Sequence, residues 1–260
     1  MPALFIPHGG GPCFFMDWDP PETWEEMAAY LKGIAATLPQ KPAAVVVISA
    51  HWEEPEFTVM TNPAPSLIYD YYGFPEHTYQ IKYPAAGAPA LAQKIFGLLE
   101  KNGITVRTDV ERGFDHGVFI PFKLIFPEAD IPIVQLSLKH GLDPAEHLAA
   151  GRALSPLRRE NVLIVGSGMS YHNLKRFFSG NDPASETFDG WLTETVMADA
   201  KTRGERLLHW KEAPAAREAH PRAEHLLPLM VAAGAAEDSK GAVDFHGLVN
   251  GVALSGYRCG

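Results

Sequence analysis

Five of the eleven histidines stand where they could do chemistry. His8 directly follows a short apolar run, in Ile6-Pro7-His8-Gly9-Gly10-Gly11-Pro12. His51 follows a second, in Ile48-Ser49-Ala50-His51-Trp52. His172 follows a third after a glycine turn, in Gly166-Ser167-Gly168-Met169-Ser170-Tyr171-His172-Asn173. His225 stands where residues 224–236 begin to read as a helix, since Pro228 is tolerated only in a first turn. His116 lies in Gly113-Phe114-Asp115-His116-Gly117, a loop imidazole beside a carboxylate. Histidine titrates near neutral pH, so it serves proton transfer, and neutral imidazole is the commonest metal ligand. The placement therefore predicts one metal-type centre. Glu224 is a rival ligand to His225, or a first-turn acid complementing the helix dipole. Asp115 could equally be a helix cap. Cys13, five residues after His8, is either a soft ligand or a buried thiol. The triple glycine lets the backbone turn and approach a ligand, but it is neither GxGxxG nor a P-loop.

Positioning these histidines requires strands whose carboxyl ends meet. Residues 3–6, 43–49, 131–138 and 161–165 are rich in Val and Ile and do not alternate, as expected of a parallel sheet covered on both faces. Helical patterns lie between them, over residues 21–38, 88–101, 143–159 and 185–203. The third opens with Asp143-Pro144, a cap and first-turn proline. Residues 57–61 and 78–83 alternate more clearly and read as extra or edge strands. Strands alternating with helices predict an α/β fold with a central, mostly parallel sheet flanked by helices on both faces. In such sheets ligands bind outside the carboxyl ends of the strands, where His8, His51 and His172 fall. Residues 203–223 are polar and are expected to form a loop over the site, carrying His209 and His220. His246 falls in a late strand, and His77, His140 and His147 are expected at the surface.

A chain of 260 residues without repeats or a linker-like tract reads as one catalytic domain, 1–260. The net charge of -9, with no basic cluster beyond Arg158-Arg159, argues against nucleic acid. Two cysteines without CxxC spacing suit a reducing compartment. The N-terminal residues do not read as a signal peptide, and no apolar stretch is long enough for a membrane span. A cytoplasmic location is the expectation.

Beyond the individual residues, the chain resembles the extradiol ring-cleavage dioxygenases of the 4,5-DOPA dioxygenase type, a branch of the class III superfamily. The resemblance runs from His8-Gly9-Gly10-Gly11-Pro12 and Ser49-Ala50-His51-Trp52 through Gly73-Phe74-Pro75, Tyr83-Pro84-Ala85 and Gly113-Phe114-Asp115-His116-Gly117. It continues in Ala129-Asp130-Ile131-Pro132, Val134-Gln135-Leu136-Ser137, Gly166-Ser167-Gly168 and His172-Asn173-Leu174, and closes in Glu224-His225-Leu226-Leu227-Pro228-Leu229. It implies that His8, His51 and His225 are metal ligands and that His172 and His116 are catalytic. His172 is also implied as a further zinc contact in some members. The resemblance implies Fe(II) for activity and Zn(II) in purified protein. It also implies a catechol and O₂ as substrates, and a monomer or homodimer. Two other readings share these residues. A zinc hydrolase would work without oxygen, and a non-enzymatic binding protein of the Memo type would turn over no catechol.

Overall fold

The computed structural model describes residues 1–177 and 180–260. Eight strands form one sheet: β1 (Ala3–Pro7), β2 (Ala44–Glu54), β3 (Phe57–Met60), β4 (Val106–Asp109), β5 (Ile133–Lys139), β6 (Val162–Gly168), β7 (Gly241–Val249) and β8 (Val252–Cys259). Their order is β4-β3-β5-β2-β6-β1-β8-β7. The four central strands β5, β2, β6 and β1 are mutually parallel. Antiparallel pairing enters only toward the edges, at β3–β5, β1–β8 and β7–β8. The run Val45–Ile48 is fully buried, which explains why it does not alternate: both of its faces are covered.

The described helices are α1 (Glu25–Thr37), α2 (Pro89–Lys101), α3 (His116–Ile125), α4 (Pro144–Leu154), α5 (Leu174–Phe177), α6 (Pro183–Met197), α7 (Ala200–Leu208), α8 (Ala216–Ala219) and α9 (Leu227–Ala235). They cover opposite faces, as the alternation along β6 makes plain. Ser167 turns to Gly117 of α3, whereas a Cβ on Gly166 or Gly168 would strike the carbonyl of Pro228 or His225 on the α9 side. None of the helices is long and apolar enough to cross a membrane.

Four differences between the expected and observed elements have a clear local cause. Residues 78–83 do not form a strand; Glu76–Gln80 is a 3-10 helix. The Thr78 hydroxyl bonds back to the Pro75 carbonyl at 2.7 Å, and the Tyr71 hydroxyl takes the Thr78 carbonyl, so that backbone is satisfied locally. The helix expected over 185–203 is two, α6 and α7. The chain turns extended at Ala198, and Asp199 restarts a helix by accepting from the Lys201 and Thr202 amides, both at 3.1 Å. Residues 143–159 are helical only to Leu154 and continue as a 3-10 helix to Glu160. Residues 203–223 are not an open loop but carry α7, a 3-10 turn and α8.

Candidate functional site

Each site histidine reaches the centre by a different local device. His8 leaves the end of β1, and its amide bonds to the Gly168 carbonyl of β6 at 3.1 Å. His51 lies inside β2, not after it. Between Ile48 and Glu53 the register against β5 slips, so five steps along β2 match two along β5. Irregularities of this kind re-aim a side chain beside a site. His116 is the first residue of α3. The His172 amide bonds to the Ala219 carbonyl of α8 at 2.9 Å, so the segment expected to loop over the site instead pins this histidine's backbone. His225 precedes α9 by two residues, and its carbonyl accepts from the Met169 amide at 3.0 Å. Gly168 permits that contact, since a Cβ there would lie 2.1 Å from the His225 carbonyl oxygen.

All five imidazoles converge. The rings of His8, His51 and His225 form a near-equilateral triangle, with centroids 4.9, 4.9 and 5.2 Å apart. His8 Nε2 and His51 Nε2 approach to 3.2 Å. His116 lies against His51, with centroids 3.9 Å apart, and His172 stacks on His225 at 3.4 Å and 18°. Two sets of potential donors therefore have their ligand atoms within 4.8 Å of one another: His8, His51 and His116, and His172, Glu224 and His225. Cys13 belongs to neither set. It is a buried thiol that burial pushes up in pKa.

The outer nitrogens of these rings are held by groups that sequence reasoning had placed differently or missed. His8 Nδ1 lies 3.0 Å from the Ser167 hydroxyl, which itself donates to the Gly117 carbonyl. Ser167 must then accept from His8, which assigns the proton to Nδ1 and leaves the Nε2 lone pair facing inward. Glu224 Oε1 lies 3.0 Å from His225 Nδ1 and 3.3 Å from His172 Nδ1, so one carboxylate orients both rings from behind. Asp70 does the same for His116, 2.8 Å from its Nδ1, and sits 3.6 Å from His51 Nδ1. Asp70 had no signal in sequence; it lies in an irregular stretch 46 residues before His116. Asp115 makes no side-chain cap to α3. It is buried under the site, accepting from Ser49 Oγ at 2.6 Å, Arg112 Nη2 at 2.6 Å and Gln135 Nε2.

Electrostatics follow from this packing. Burial, then the neighbouring imidazoles, holds His8 and His225 well below the ordinary histidine range. Burial and His116 bring His51 to about 4. Burial would raise Asp70, but its hydrogen bond from His116 outweighs this and holds it at about 2. Glu224 is likewise lowered against burial, chiefly by His172. His8, His51 and His225 are thereby held neutral, with the ionised Asp70 and Glu224 behind the rings. That donor set fits a divalent transition metal.

The five rings open onto a cavity of about 300 Å³ that also borders Gly9, Gly10 and Gly11, Trp18, Trp24 and Phe74. A larger cleft of about 640 Å³, between residues 20–27 and 245–250, carries none of the five. Of the other histidines, His147, expected at the surface, is buried, and so is His220. His147 Nδ1 donates to the Asp143 carbonyl at 2.7 Å and its Nε2 accepts from the Lys139 amide at 3.2 Å. His220 Nε2 donates to the Ser170 carbonyl at 2.9 Å. Backbone partners of this sort leave no trace in sequence. His77, His140 and His209 are exposed, and His246 lies in β7 as expected.

Comparison with known proteins matches residues 2–253 to the model of the catalytic LigB subunit of aromatic ring-opening dioxygenase. A 4,5-DOPA dioxygenase extradiol from Beta vulgaris is 39% identical, with 97% of this chain and 93% of that protein covered. The protein of the same name from Escherichia coli K12 is 34% identical, over 90% of this chain and 85% of the other. The dioxygenase tasH of Hapsidospora irregularis is 37% identical, over 92% and 79%. A crystal structure of an uncharacterized Escherichia coli K12 protein superposes with a TM-score of 0.81 at 29% identity, covering the whole of both chains.

Proposed function

This chain belongs to the LigB family of aromatic ring-opening dioxygenases, and from that premise we propose that it opens a catechol by extradiol cleavage at a metal held by His8, His51 and His225. The observation that carries the assignment is the near-equilateral triangle of these three rings, each with its outer nitrogen toward a polar partner. Such a triangle leaves one face open toward the cavity. His172 stacks on His225 and His116 is tilted against His51, each with its Nδ1 facing a carboxylate, and we assign these two to proton transfer and not to the metal. Glu224, the rival ligand, is engaged with the outer nitrogens of two histidines.

Fe(II) bound there would supply chelation of both catechol oxygens and a position for dioxygen. The protein's own contribution is positioning and proton transfer. His172, with Nδ1–H held on Glu224, presents Nε2 as the base that takes a proton from a catechol hydroxyl. It returns that proton as the ring opens. His116, with Nδ1–H held on Asp70, borders the same cavity and acts on the oxygen atoms being transferred. A carboxylate behind an imidazole fixes its tautomer and raises its basicity. An all-imidazole donor set suits zinc as well as iron, so purified protein is expected to carry Zn(II) until exchanged.

Anaerobic loading with Fe(II), followed by a catechol panel read by O₂ uptake and yellow ring-opened product, tests the activity. His172→Phe is expected to bind metal and abolish turnover. A reaction that runs equally well without oxygen would sink the proposal in favour of a zinc hydrolase.

A further inference from the structure

Two of the proposed ligands, His51 and His225, border a second cavity of about 340 Å³, whose remaining lining is Ala50, Glu53, Arg222 and Glu224. Among the described residues it shares nothing else with the aromatic cavity. Two cavities of different chemistry therefore meet at the same pair of imidazoles. The aromatic one offers Trp18, Trp24, Phe74 and Phe177 and, among the described residues, no Lys, Arg, Asp or Glu. The polar one offers two carboxylates and one guanidinium.

A hydrated divalent cation must give up water to reach the imidazoles. Shedding it against an aromatic wall is costly when no opposite charge replaces it. Glu53 and Glu224 supply that charge, and their excess over Arg222 leaves the polar cavity net negative, which draws cations in. Glu224 Oε2 is buried and makes no hydrogen bond. Ligand atoms of His172, Glu224 and His225 lie within 4.8 Å of one another, so a cation that reaches Glu224 is already among imidazole nitrogens.

A strap spans this polar cavity. Arg222 takes both oxygens of Glu53 and lies 3.4 Å from Glu224 Oε2. Glu53 follows His51 by two residues in β2, and Arg222 precedes His225 by three. The pair thus ties together, across 169 positions, the two segments that carry two of the ligands. The Arg222 side chain is 57% exposed, so it can swing into water at little cost beyond the ion pair itself.

We propose that the divalent metal is loaded and released through the polar cavity, and that the Arg222–Glu53 pair is the closure that slows both, leaving the aromatic cavity to the organic substrate. This rests on His8, His51 and His225 being the metal centre, not on what the loaded metal does. A closure raises a barrier without changing an affinity. Its removal speeds entry and exit by the same factor and leaves Kd where it was.

The experiment uses the full chain and Zn(II). Uptake by metal-free protein and release from loaded protein are each followed in stopped flow with a chromophoric chelator. The double variant Glu53→Gln/Arg222→Gln removes the pair and keeps the net charge of the cavity. It is expected to raise both rate constants about fivefold, the equivalent of an exposed ion pair at the upper end of its usual strength, with Kd within about twofold of the parent. Gly10→Leu narrows the aromatic cavity at a position whose φ lies outside the left-handed region and where the nearest atom to a Cβ, on Trp24, is 3.8 Å away. It is expected to leave both rates unchanged. Unaltered rates in the double variant would overturn the proposal. So would faster release with unchanged uptake, which marks a lost affinity and not a lowered barrier. Slower exchange in Gly10→Leu would move the traffic to the aromatic side and overturn it as well. Full Zn(II) occupancy in His225→Ala would instead overturn the metal centre itself. Zinc exchange as expected, with no ring opening of any catechol after Fe(II) loading, would overturn the reaction and uphold the route.

Discussion

Glu224 is the residue whose role the geometry redefines, and replacing it by Gln tests that role. Its Oε1 accepts from His225 at 3.0 Å and faces His172 Nδ1 at 3.3 Å, while Oε2 lies 3.4 Å from Arg222. Its pKa is lowered despite burial, so it is ionised at neutral pH. Glutamine keeps the shape and one acceptor oxygen but removes the charge. A hydrogen bond to a charged group contributes about 1.5–3 kcal/mol and a neutral one about 0.5–1.5. Of the two imidazoles only His225 is a proposed ligand, and losing the difference there is roughly 1–1.5 kcal/mol. Each tenfold in affinity is about 1.4 kcal/mol, so metal binding should weaken roughly tenfold, the lower end of the range expected for partners behind metal-bound histidines. Competition against a chromophoric chelator for Zn(II) measures this directly, with circular dichroism confirming the fold. His225→Ala, in contrast, should empty the site. If Glu224→Gln emptied the site while His225→Ala kept full occupancy, Glu224 would be the ligand. If Glu224→Gln bound metal and turned over like the parent, the orienting role would be refuted.

Three further outcomes follow from the same contacts. Ser167→Ala removes the acceptor that fixes His8 Nδ1–H, and should lower metal affinity about tenfold or more in the same competition assay. Asp115→Ala leaves Arg112, Gln135 and Ser49 without their buried acceptor and should cost about 3–5 kcal/mol in urea unfolding. His220 is held neutral by burial, with its folded pKa lowered to about 4. Its unfolded value is near 6.5. The unfolded chain therefore takes up the proton first as pH falls. The stability this neutral residue contributes is complete above about pH 6.5 and is lost from there down to about pH 4. By pH 5 the loss is roughly 2 kcal/mol. In metal-free protein, His220→Gln should reduce the stability difference between pH 8 and pH 5 by about that amount, and an unchanged difference would count against the assignment.

Residue types and their spacing are enough to say which side chains could be chemical. His8, His51 and His172 were legible because each follows an apolar run, and the sheet brings such ends together whatever the details of its edges. The apolar runs also determined the parallel centre, since Val45–Ile48 can avoid alternation only when covered on both faces. His225 was legible from Pro228, which restricts where its helix begins. How those rings are aimed depends on contacts between distant segments. The slip in β2 beside His51 is a property of pairing with β5, and the approach of Glu224 to the outer nitrogens of two histidines exists only in the folded chain. Asp70 meets His116 across 46 residues, and Ser167 meets His8 across 159. Hydrogen bonds of that range carry no periodicity, because nothing local requires them. The same holds for His147 and His220, buried against backbone carbonyls. Periodicity records which face is covered; which polar atom finds which partner is settled only once the layers close.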